Sequence, residues 1–148
     1  MFRGLLSSKV VIAAFAVGLL GAAGGSAAYA AARVSDSKYT GTVDSYSYEY
    51  YSQIDSGNDT AASAIQTTDE SNTPVSQMGA AGHLYEADTS LCEVSGWQYN
   101  DSVFWAWAAL TSGSFCGSGY YYSSGFVRAY NGDGYTTYQT DTSPQLPF

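Results

Sequence analysis

Residues 125–140 read Gly-Phe-Val-Arg-Ala-Tyr, Asn-Gly-Asp-Gly, Tyr-Thr-Thr-Tyr-Gln-Thr. Two runs rich in aromatic and β-branched residues flank Asn131-Gly-Asp-Gly134, whose residue types tolerate the positive φ that a tight hairpin needs. The stretch predicts two antiparallel strands, and Pro144 and Pro147 then end the sheet. Working backwards, Gly82–Ala87 and Leu91–Tyr99 have the same texture around the turn-prone Asp88-Thr89-Ser90. Val103–Leu110 is apolar on both faces and suits a buried central strand, although its three alanines and a leucine also suit a short helix. The Asn100-Asp101-Ser102 turn before it and its two tryptophans favour the strand. Short strands separated by turns predict an all-β fold: a small antiparallel domain, sandwich or barrel-like, over residues 79–148.

A core drawn from about 65 residues is marginal without a staple. Cys92 and Cys116 are the only cysteines, and they are expected to form a disulfide because the chain carries an export signal. Arg3 and Lys9 supply a positive start, Val10–Leu20 an apolar run, and Ala28-Tyr29-Ala30 a cleavage site. Residues 1–30 are therefore expected to be a signal peptide, and the mature protein to be secreted and extracellular. Three basic residues, Arg33, Lys38 and Arg128, then face 13 acidic ones, a net charge of −10. That balance argues against nucleic acid and anionic membrane surfaces as partners.

Between signal and domain, residues 31–78 read as an extended arm and linker. Ser52–Gln77 contains no aromatic residue and is rich in Ser, Thr, Asp and Asn, which predicts a linker or disordered arm. The alternative is a single helical turn carrying Ala61, Ala62, Ala64 and Ile65. Ahead of the linker stands Tyr46-Ser-Tyr-Glu-Tyr-Tyr51, with tyrosines at 46, 48 and 50 in the period of a strand face. Such a strand either folds back on its own sheet or adds to a partner. Docking on a partner is the preferred expectation, because nothing else in the arm offsets the cost of ordering it.

Chemistry is sparse. His83, the only histidine, reads as a turn residue, and no Gly-x-Ser-x-Gly elbow accompanies it; Gly117-Ser118-Gly119 lacks the flanking signature. Glu86, Asp88, Glu93, Asp101 and Asp133 could pair for glycoside hydrolysis, but acids on an acidic protein usually face water. Asn131–Gly134 lacks the alternating acids of a calcium loop, and two cysteines with one histidine fall short of a zinc site. No catalytic residue, metal or cofactor is expected. The surplus lies in the aromatics: Trp97, Trp105, Trp107 and the run Tyr120, Tyr121, Tyr122, whose members cannot all point inward on a strand. Tyr120, Tyr121 and Tyr122, together with Tyr46, Tyr48, Tyr50 and Tyr51, are the candidate partner-binding residues.

An export signal, an extended arm bearing the tyrosine strand, and a domain holding Cys92 and Cys116 form a layout. Over the mature chain this layout resembles the small adaptor subunit of the umbrella toxin particles secreted by Streptomyces. The resemblance implies a short, non-enzymatic exported protein that links a lectin-bearing subunit to a large toxin polypeptide through its N-terminal segment. A secreted carbohydrate- or cell-wall-binding module, or a bacteriocin-like protein, is the other reading, with surface Trp and Tyr stacking on sugar rings.

Overall fold

The computed structural model describes residues 32–113 and 116–148; the expected signal peptide lies outside the described residues. Eleven strands follow in order: β1 (Ala32–Val34), β2 (Lys38–Val43), β3 (Tyr46–Asp55), β4 (Thr60–Thr67), β5 (Met78–Glu86), β6 (Leu91–Val94), β7 (Gln98–Tyr99), β8 (Ala106–Leu110), β9 (Tyr120–Tyr130), β10 (Tyr135–Gln139) and β11 (Leu146–Pro147). All their pairings are antiparallel. The first sheet runs β3-β4-β8, with β1 and β2 sharing the other edge of β3. The second places β5 between β9 on one side and β6 and β7 on the other, with β10 and β11 on the far edge of β9.

The expected hairpin forms with Tyr130 opposite Tyr135 and Phe126 opposite Gln139. Its turn closes through Asn131, whose Oδ1 accepts from the amides of Asp133 (3.1 Å) and Gly134 (2.9 Å), while Gly132 takes φ 94°. That is the positive-φ, side-chain-capped turn its residues predict. Val103–Leu110 resolves to strand over Ala106–Leu110, and Leu91–Tyr99 is interrupted between β6 and β7.

The linker expectation is overturned. Ser52–Asp55 ends β3, and Thr60–Thr67 pairs with β3 along its length, from Tyr48 opposite Thr67 to Asp55 opposite Thr60. The reason is that this strand packs through small residues. Ala61 and Ser63 are fully buried, and Ala62 is nearly so. A composition test that looks for bulky apolar side chains misses a core made by close backbone approach.

Stacked sheets usually lie about 10 Å apart. Here, midway along the sandwich, Ser123 Oγ donates to the carbonyl of Ala62 (3.0 Å), and Ser52 Oγ donates to the carbonyl of Ser123 (3.0 Å). Serine side chains are short, so the two main chains must be close at this waist. A Cβ built on Gly82 would stand 2.6 Å from the Ala109 carbonyl oxygen of the facing sheet, and one on Gly125 2.3 Å from Ser63 Oγ of the facing sheet. Two apolar clusters flank the waist. The larger joins Tyr48, Tyr50, Ile65 and Trp107 of the first sheet to Met78, Ala80 and Val127 of the second. The smaller contains Ile54, Ala61, Leu84, Tyr121 and Leu146. Residues assigned to the arm thus share a core with the expected domain.

Cys92 and Cys116 form the disulfide, with their Cα atoms 5.7 Å apart. It ties the edge strand β6 to the segment entering β9 and closes a loop of sequence separation 24 that contains β7 and β8. In the chain-entropy account such a loop contributes about 3 kcal/mol. Reduction is expected to lower the thermal midpoint by about 10–15 °C. An unchanged melt after quantitative reduction would show that the bridge constrains nothing the sandwich does not already hold.

Candidate aromatic binding face

Alternation along β5 and β9 sorts their side chains. Leu84, Tyr121, Val127 and Ala129 point into the core, whereas His83, Tyr85, Tyr122, Phe126, Arg128 and Tyr130 stay half-buried on the opposite face. Register places Tyr85 opposite Tyr122, His83 opposite Ser124 and Gly79 opposite Arg128. Across the hairpin, Arg128 faces Thr137 and Tyr130 faces Tyr135. The outer face of the second sheet therefore carries aromatic residues from one end to the other.

At one end, Tyr85 and Tyr122 stack with centroids 5.2 Å apart and planes within 9°. His83 sets its ring edge-on to Phe126 at 5.4 Å, and its Nδ1 lies 3.3 Å from the Tyr85 hydroxyl. Burial holds the His83 pKa below its usual value and raises that of Tyr122. Leu91 pairs with Tyr85 and Val94 with His83, and both are about half exposed, as is Tyr120.

At the other end, Arg128 projects between Trp97 and the hairpin. Its guanidinium carbon lies 3.8 Å from the Trp97 ring centroid. Nη1 donates to the Tyr99 hydroxyl (2.7 Å) and Nε to Thr137 Oγ1 (3.1 Å). The Tyr99 ring lies against Gly79, where a Cβ would come within 2.7 Å of it. Tyr135 continues the row, 5.1 Å from Tyr99 and 5.8 Å from Tyr130. Its hydroxyl donates to the Ser76 carbonyl (2.6 Å), which fixes the ring.

The sequence candidates divide accordingly. Tyr48, Tyr50 and Tyr121 are core residues, and Tyr46 packs half-buried against the larger cluster. β3 is paired on both edges, by β1 and β2 on one side and β4 on the other, so it cannot add to a partner's sheet. The docking-strand expectation gives way to the fold-back alternative because two of its rings supply much of the core. Tyr51 faces outward on the first sheet, beside Trp105 and an alanine floor of Ala62, Ala64, Ala106 and Ala108. The hollow there, about 40 Å³, has room for little more than one water. Tyr120 and Tyr122 remain on the aromatic face.

His83, expected in a turn, instead lies within β5. Of the group Trp97, Tyr99, Arg128, Tyr130 and Tyr135, the sequence marks only Trp97, as one of the surplus aromatics, and nothing in it joins the five. Folding the hairpin on paper puts Arg128, Tyr130 and Tyr135 on one side, but only the pairing of β7 with β5 brings in Tyr99 and Trp97. Among the described residues no cluster of three His, Cys, Asp or Glu side chains could hold a metal ion. What the face offers is aromatic area, hydroxyls and one fixed cation, the equipment of a binding surface. The chain matches no known protein family, no curated protein and no solved structure.

Proposed function

We propose that this protein is an exported, non-enzymatic adaptor that holds another secreted polypeptide through the outer face of its second sheet. One observation carries the reading. Tyr120, Tyr122, Tyr85, His83, Leu91 and Val94 form an apolar, aromatic patch at one end of that face, with Tyr120, Leu91 and Val94 exposed by 59, 54 and 49 %. Scattered exposed apolar residues need no explanation, whereas a contiguous group on a flat sheet surface suits a protein partner. None of these six side chains is lysine, arginine or a carboxylate although the chain has a net charge of −8, with Asp88 acting on Tyr122 from nearby, so the area a partner would dry is cheap to desolvate. The disulfide is consistent with an oxidising, extracellular setting. The class of partner, a subunit of a secreted toxin particle, comes from the sequence resemblance to umbrella-particle adaptors alone, since the extended arm of that layout is folded into the sandwich as β3. In this reading the contact lies on the sheet face instead of a free arm.

Capture of secreted polypeptides from culture supernatant by the tagged mature protein tests the reading. Tyr122→Ala and Leu91→Ser are each expected to weaken capture of a discrete polypeptide by about tenfold or more. Tyr51→Ala, on the opposite face, should leave capture unchanged. Capture that depends on Tyr51 and ignores Tyr122 and Leu91 would move the contact to the first sheet.

A further inference from the structure

We infer that the opposite end of the same face is a binding site for a carboxylate-bearing sugar, a uronic-acid residue of a glycan, with Arg128 gripping the acid and Trp97 and Tyr135 supporting the ring. The site is separate from the adaptor patch and does not depend on it.

Arg128 is a half-buried cation in a chain with 13 acidic residues, yet among the described residues it forms no ion pair. Lys38, by contrast, is paired with Asp141. The guanidinium is nevertheless held in place by a ring on its face, the Tyr99 hydroxyl and Thr137. Two of its five N–H groups are used in those bonds, leaving three donors. The Tyr99 hydroxyl proton, at Nη1, and the indole N–H of Trp97, whose ring the guanidinium covers, likewise have no acceptor among the described residues. The site is rich in donors and poor in acceptors. Its complement is an acceptor-only group, and a planar fork fits a carboxylate in two-point contact.

The rings decide what carries that carboxylate. Trp97 and Tyr135 are each more than one-third exposed, flank the arginine through Tyr99, and are fixed in orientation by the Arg128 stack and the bond to Ser76. A simple carboxylate would leave that aromatic area idle, whereas a pyranose offers an apolar C–H face beside its acid. The negative charge of the protein disfavours a densely charged polyanion, so the fitting glycan carries isolated acids among neutral sugars.

The test titrates the mature protein with methyl β-glucuronide, methyl β-glucoside, sodium acetate and a short glutamate-containing peptide, following tryptophan emission and aromatic NMR shifts. The glucuronide is expected to bind at least about tenfold tighter than the glucoside. It should perturb Trp97 and Tyr135, and Arg128→Gln should bring the two sugars to about equal affinity. Tyr99→Phe keeps the ring over Gly79 and removes only the hydroxyl, so it should reduce the preference in a protein with an unchanged melt. Equal binding of the two sugars to the wild type, or no binding of either, overturns the inference. Acetate or the peptide binding as tightly as the glucuronide also overturns it, by assigning the arginine to a different ligand.

Discussion

Replacing Gly125 with alanine is expected to strip the protein of about 3 kcal/mol or more, a drop in thermal midpoint of roughly 15 °C. The added methyl would stand 2.2 Å from the Ala81 carbonyl oxygen and 2.3 Å from Ser63 Oγ. Neither neighbour can yield cheaply. Ala81 is held in the β5–β9 ladder opposite Phe126, and Ser63 lies in the centre of β4 between β3 and β8. Clearing Ala81 requires the β5–β9 ladder to distort, and clearing Ser63 requires the two sheets to separate, which breaks the Ser123 bond to Ala62 and the Ser52 bond to Ser123. Gly82→Ala should behave similarly, against the Ala109 carbonyl at 2.6 Å. Gly41→Ala is the control, since nothing lies within 4 Å of its Cβ position. It should be neutral or slightly stabilising through the unfolded state. Thermal and urea melts of the three variants check this. A Gly125→Ala protein that melts within about 2 °C of the wild type would mean that the waist is looser than the serine bonds imply.

The same waist explains what could be read from the chain and what could not. Asn131–Gly134 announced its hairpin because turn chemistry is local: one asparagine side chain bonds amides two and three residues on. The disulfide was legible from arithmetic, two cysteines in a chain expected to be exported. Thr60–Thr67 was not legible, because its burial depends on a second backbone arriving within a serine's reach, and nothing in Thr-Ala-Ala-Ser-Ala-Ile-Gln-Thr records that approach. Gly82 and Gly125, which permit it, lie on two other strands. The candidate site divides on the same line. Tyr120, Tyr121 and Tyr122 stood out as consecutive rings that cannot all turn inward, and β9 alternation buries Tyr121 and leaves the other two outside. Arg128 stayed hidden because its partners Trp97, Tyr99 and Thr137 come from separate parts of the sheet, joined only by register.

Changing Tyr46, Tyr48 and Tyr50 together to serine is expected to unfold the protein outright. Tyr48 is fully buried and Tyr50 nearly so, and both belong to the cluster that joins the two sheets. Tyr50 also packs 5.4 Å from Tyr138, which brings in β10 from the far edge of the second sheet. Losing a buried aromatic side chain costs about 3–5 kcal/mol. Two such losses reach the whole stability of an ordinary domain, about 5–15 kcal/mol. Near-UV circular dichroism and the cooperative melt should both disappear. Tyr48→Phe separates the ring from its hydroxyl: that oxygen is buried without a hydrogen-bond partner among the described residues, and burial drives its pKa well upward. Removing it should leave stability unchanged or raise it by about 1 kcal/mol, since an unsatisfied buried polar group is a cost. Glu49→Gln, on the outer side of the same strand, should matter little. If β3 were instead a spare strand awaiting a partner, the triple variant would melt like the wild type and fail only in capture. Its melt therefore decides between a strand that builds this sandwich and a strand reserved for another protein.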